Sequence, residues 1–136
     1  MPYVDIRIAS PCLPETVSKF ATRLTDLTAD LLAKKRELTS ISVQCIAPGH
    51  WYVGGTALST HGGSTFFVET NVTAGTNDAR QKADYIAAVF AAAEGILGKL
   101  DAASYVIVRE VPAEAWGYQG MTQAARAAQR AAAAQA

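Results

Sequence analysis

The chain has 136 residues, 50% of them apolar and 18% charged, which is enough to bury a single core. Lys plus Arg number 12 and balance 12 Asp plus Glu, so the chain has no electrostatic pull toward nucleic acid or an anionic membrane. No apolar run is long enough to span a bilayer, and neither the cysteines, Cys12 and Cys45, nor the histidines, His50 and His61, show metal-ligand spacing.

The start lacks a basic segment followed by an apolar one, so a cytoplasmic protein with two reduced thiols is expected. Residues 3–9, YVDIRIA, alternate, with Val4, Ile6 and Ile8 on one face and Tyr3, Asp5 and Arg7 on the other. That pattern predicts a half-buried strand. SPCLP breaks it, and Pro14 and Glu15 suit the first turn of a helix. Val17, Phe20, Ala21, Leu24, Leu27, Thr28, Leu31 and Leu32 recur at helical spacing, which predicts an amphipathic helix ending near Lys35 to Leu38. The KKRE run at 34–37 reads as a solvated helix end. TSISVQCIA at 39–47 is a second strand, and PGHWYVGG supplies a turn around two aromatics.

The same order then returns. STFFVETNV at 64–72 is a strand, and AGTNDA turns into a helix with Thr76, Asn77 or Asp78 as N-cap. Residues 79–100 predict that helix, with Ala83, Ile86, Ala87, Phe90, Ala91 and Leu97 on one side. SYVIVREV at 104–111 is the closing strand, and PAEAWGYQG echoes PGHWYVGG with Trp116 in the place of Trp51. The chain reads β-α-β twice, over about residues 2–60 and 61–120, followed by an Ala-rich helical tail at 121–136. Each helix has room to cross back, so each strand pair should be parallel. The expected product is an α/β fold: a four-stranded sheet with two helices on one face. The bare face implies subunit packing. Arg126 and Arg130 stand four apart on one face of the tail, which is either a fraying helix or a strap over a neighbouring subunit.

MP before an alternating strand, the β-α-β unit, the turn GHWYVGGTALS and the closing EVPAEAWGYQG together resemble the tautomerase superfamily. The doubled length and the stretch from Ile41 to Gly120 look more like its cis-3-chloroacrylic acid dehalogenase group than its single-unit 4-oxalocrotonate tautomerase group. The resemblance implies a homotrimer of double units, with their sheets forming a barrel-like centre. It also implies that removal of Met1 exposes the nitrogen of Pro2 as a catalytic base. A freed proline is a secondary amine, and desolvation with nearby cations brings its pKa toward neutrality.

Other positions depart from the pattern. Thr73 and Thr76 stand where the dehalogenases have two arginines, and threonine cannot give a carboxylate the bidentate grip of arginine. The region around Thr28 and Ala29 lacks their histidine, Ile107 replaces their tyrosine, and Tyr118 replaces their water-activating glutamate. Cys12 and Ser42 fall where the single-unit tautomerases carry arginines. Proton transfer on an enol is the less demanding chemistry, so a cofactor-independent tautomerase acting on a small enol or keto acid is expected, with no metal. Pro2 would be the base and Tyr118 an acid or hydrogen-bond donor. Arg109, Thr73, Thr76, Trp51 and Trp116 would contact the substrate. Arg109 could instead pair with a carboxylate, and the tryptophans could pack between subunits. The alternatives are a hydratase or dehalogenase of an unsaturated acid and a non-catalytic trimeric binding protein.

Overall fold

The computed structural model describes residues 1–10 and 12–135; Pro11 of the SPCLP break and Ala136 of the tail lie outside the described residues. The first unit runs β1 (Tyr3–Ala9), α1 (Pro14–Leu31), β2 (Ser40–Cys45) and a hairpin of β3 (Tyr52–Val53) and β4 (Thr56–Ala57). The second runs β5 (Thr65–Thr73), α2 (Ala79–Leu97), β6 (Tyr105–Val111) and a hairpin of β7 (Gly117–Tyr118) and β8 (Met121–Thr122). A tail helix, α3 (Gln123–Gln135), follows.

The main sheet has the order β2-β1-β5-β6. Its outer pairs, β1 with β2 and β5 with β6, are parallel, as the crossover helices require, and β1 meets β5 antiparallel to join the units. Period-two burial follows the alternation. Val4, Ile6 and Ile8 of β1 and Phe66, Val68 and Val72 of β5 have no exposed surface and pack beneath the helices. The opposite face carries Tyr3, Arg7, Phe67, Tyr105 and Ile107 and has no layer over it among the described residues; Tyr105 is 62% exposed.

Both helices differ in detail from the sequence expectation. α1 stops at Leu31 because Ala33 takes a left-handed φ of 55°. The N–H of Lys34 then bonds the carbonyl of Ala29 at 3.2 Å, and that of Leu32 bonds Thr28 at 3.2 Å. In α2 the Ala83, Ile86, Ala87 stripe faces out; Tyr85, Val89 and Ala93 are the buried line, with Phe90 and Leu97 packed partly against it. The phase is set by Tyr85, whose hydroxyl meets Thr28 of α1 at 3.0 Å and Thr70 of β5 at 2.8 Å. Asp78 is the N-cap, in a capping box with Gln81. Gly98, at φ 82°, ends the helix.

The two cysteines also depart from the expectation of free thiols: Cys12 and Cys45 form a disulfide. The parallel ladder sets Cys45 beside Ile8, and the chain leaving β1 reaches Cys12 four residues later. The bond removes Cys12 as a nucleophile.

Candidate active site at the chain start

Strand polarity decides what meets at each end of the sheet. β1 and β2 begin at the same end, and β5 and β6 finish there. Chain start, the loop entering β2 and the loops leaving β5 and β6 therefore converge. A cavity of about 490 Å3 lies at this junction. Met1 opens onto it, with Lys34 and Lys35 from the α1–β2 loop, Thr73 at the end of β5, Thr76 just after it, and Tyr118 from β7. Gln123 and Arg130 of α3 complete it, and no Asp or Glu is among its described lining residues. A wider groove of about 530 Å3 between α1 and α2 lies on their outer faces, around Thr22, Asp26 and Ile96.

Pro2 is buried, and its carbonyl accepts the N–H of Ser40 at 3.2 Å, which ties the start of β1 to the start of β2. The amine of Met1 titrates below its ordinary value, first through desolvation and then through the positive charges of Lys34, Lys35 and Arg130. Burial likewise lowers the ammonium of Lys34. That ammonium donates to Thr76 Oγ1 at 2.8 Å, while the Thr76 hydroxyl donates to the carbonyl of Thr73 at 2.6 Å. The two threonines thus serve as a rest for a lysine. The KKRE segment is not a fully solvated helix end, because Lys34 is half-buried and turned toward the chain start.

Tyr118 is held from both sides of its residue. The Arg126 guanidinium lies 3.7 Å from the centre of its ring and donates to its backbone carbonyl at 2.8 Å. β7 and β8 join through Gln119 and Gly120, both at positive φ (52° and 74°), the backbone of a tight two-residue hairpin.

Four sequence-derived positions, Thr73, Thr76, Tyr118 and the chain start at Pro2, are thereby brought to one end of the sheet. The others lie apart from this cavity. Arg109 is on the open sheet face, 66% exposed, with its guanidinium 3.8 Å from Glu69. Trp51 lines a shallow pocket with Arg7, His50 and Phe67. Trp116 stands beside the β7–β8 hairpin, its indole N–H buried without an acceptor among the described residues. Sequence reasoning missed Lys34, Lys35, Gln123 and Arg130. The available signals were Lys34 at a helix stop that leads back to β2, and the helical spacing of Arg126 and Arg130.

Residues 67–126 match the family model described as tautomerase enzyme, which spans β5 through the first turn of α3. That segment, 60 of the 136 residues, resembles the tautomerase family in sequence. A fused 4-OT (4-oxalocrotonate tautomerase) solved as a symmetric trimer superposes with a TM-score of 0.80 at 20% identity, covering 91% of this chain and 98% of that one. A protein designated Pt0534, inactivated by 2-oxo-3-pentynoate, gives 0.81 at 16% identity, covering 91% and 98%. A macrophage migration inhibitory factor homologue from Prochlorococcus marinus gives 0.72 at 25% identity, covering 88% and 97%. A search of curated proteins found no match. The chain thus shares the fold of these fused, two-unit proteins. No helix among its described residues is long and apolar enough to cross a membrane.

Proposed function

We propose that this chain is a cofactor-independent tautomerase that works as a homotrimer on a small enol or keto acid, with Pro2 as the proton carrier once Met1 is removed. One observation carries the reading: a cavity at the chain start gathers three cations and a phenol around the terminal amine, with no Asp or Glu among its described lining residues. A proline nitrogen freed at this position inherits the desolvation and the cations that depress the Met1 amine. Both influences act in the same direction on it, lowering its pKa and favouring the neutral amine that can accept a proton.

The proton accounting is short. The Pro2 amine takes the proton from the enol hydroxyl, and the oxygen forms the ketone as the double-bond electrons move to the adjacent carbon. The protonated amine then delivers a proton to that carbon. Lys34, Lys35 and Arg130 replace the missing arginine pair as the grip on the acid group; the Tyr118 hydroxyl donates to the oxygen as charge develops on it. The trimeric state draws on the symmetric trimer among the similar structures and on the open sheet face of the single chain.

Intact mass shows whether Met1 is gone. Phenylenolpyruvate ketonisation, followed by ultraviolet absorbance, tests the activity directly. 2-Oxo-3-pentynoate, which inactivates one similar protein, tests the amine: peptide mapping should find the adduct on the nitrogen of Pro2. Undiminished turnover in Pro2→Ala, or an adduct confined to lysines, removes the proline from the mechanism.

A further inference from the structure

The two units end alike up to one residue. In the first, the N–H of Leu58 bonds the carbonyl of Trp51 at 2.7 Å after the β3–β4 hairpin. In the second, the N–H of Gln123 bonds the carbonyl of Trp116 at 3.0 Å after the β7–β8 hairpin. Both side chains are buried, at 1% and 9% exposure. Leucine therefore satisfies this place in the fold, and nothing in the hairpin requires an amide there. Yet the glutamine lines the cavity at the chain start, and its Nε2 is buried with no hydrogen-bond partner among the described residues. An orphaned buried donor costs stability, so its presence where leucine serves points to an acceptor supplied from outside.

We propose that Gln123 is a specificity-determining residue: its Nε2–H donates to an uncharged oxygen, a hydroxyl or carbonyl, on the ligand's end remote from its acid group. The lysines and Arg130 suit the carboxylate, since each carries a full charge; a neutral amide suits a neutral oxygen. The backbone holds the donor in place, because Gln123 N–H and Ala124 N–H are tied to Trp116 and Ala113 at 3.0 and 2.9 Å. α3 then belongs to the site and is not a fraying tail.

The inference rests on the cavity being the substrate site, as proposed above, but its test does not need turnover. 4-Hydroxybenzoate and 4-methylbenzoate have nearly the same shape and differ in one oxygen. Calorimetric titration of the wild-type protein should show the hydroxy acid binding about fivefold more tightly, the worth of one buried neutral hydrogen bond. Gln123→Leu, the residue the first unit already uses, should bring the ratio to about one while keeping 4-methylbenzoate affinity. Gln123→Met keeps nearly the same shape but has no donor, and should also abolish the ratio. Equal binding of the two acids by wild type, a ratio surviving in both variants, or no binding of either acid overturns the inference. A dead ketonisation assay with the ratio intact would instead count against the proline chemistry alone.

Discussion

Replacing Tyr85 by Phe tests the packing that joins the two units. The Tyr85 hydroxyl has no exposed surface and contacts the hydroxyls of Thr28 and Thr70 at 3.0 and 2.8 Å. Proton direction follows from one further bond, because the Thr28 hydroxyl donates to the carbonyl of Leu24 at 2.7 Å. Its single proton is spent there, so Tyr85 must donate to Thr28, and Thr70 must then donate to Tyr85. The chain Thr70, Tyr85, Thr28, Leu24 links β5, α2 and α1. Tyr85→Phe leaves the buried Thr70 hydroxyl with no acceptor, whereas Thr28 keeps its bond to Leu24. The orphaned donor and one lost acceptor bond together cost about 2 kcal/mol, a fall in Tm of roughly 6–10 °C for a domain of this size. Thr70→Val in the same background removes the orphan and should return about 1 kcal/mol, a non-additivity expected only of directly coupled groups. Urea unfolding at fixed protomer concentration, with the m-value unchanged, measures both. If Thr70→Val destabilises the Tyr85→Phe protein further, the proton order is wrong and the network does not set the phase of α2.

Burial raises the phenol of Tyr85 above its ordinary value, against the weaker opposing effect of its two hydrogen bonds. Between the unfolded and the raised folded value, the native state keeps a proton that the unfolded chain releases, so stability falls as pH rises through that window. Tyr85→Phe should flatten this alkaline decline, as read from Tm against pH above about 10. At the chain start the sign is opposite. Lys34, Lys35 and Arg130 disfavour the charged amine, Lys34 most strongly of the three. Arg130→Gln should therefore raise the amine's pKa and move the acid limb of the kcat/KM profile to higher pH, and Lys34→Gln should move it further; a limb that stays fixed in both separates the base from these cations. Gly117→Ala would drive a Cβ into the backbone oxygen of Met121, where β7 pairs with β8. Gly49→Ala meets nothing within 4 Å. The first should lose ligand binding and lower Tm, and the second should do neither; equal behaviour would show that the hairpin does not need its close approach.

Strong periodicity made most of the fold readable. Val4, Ile6 and Ile8 alternate without interruption, and Phe20, Leu24 and Leu27 hold one helical stripe, so both elements and their buried faces follow from spacing. α2 is rich in alanine, which fits either face, so its stripe cannot be phased from hydrophobicity. One buried tyrosine hydroxyl phases it, and its partners lie in other elements. The disulfide is a contact of the same kind, made between segments 33 residues apart by strand register. At the site, Pro2 and Tyr118 came through family resemblance and Thr73 and Thr76 through its departures. The cations were hidden because a charged run in a sequence usually means solvent. What turns Lys34 inward is the left-handed stop at Ala33, and what brings Arg130 back is the hairpin that aims α3 at the chain start.

These placements recast the missing arginines. A bidentate guanidinium held on the sheet fixes a carboxylate in one plane, whereas lysines on a loop and an arginine on a terminal helix supply charge with less direction. Charge alone would hold many acids without ordering their reactive carbon over the amine. Orientation then has to come from groups with fixed direction. The Tyr118 ring is pinned by Arg126, and the Gln123 amide is carried on a backbone pinned to Trp116. Both residues belong to the second unit's hairpin and the helix after it, and the first unit ends at Leu58–Thr60 without such a helix. Under the proposed reading the fused chain therefore divides the labour: the first unit brings the amine and the lysines, and the second brings the groups that give the ligand its direction.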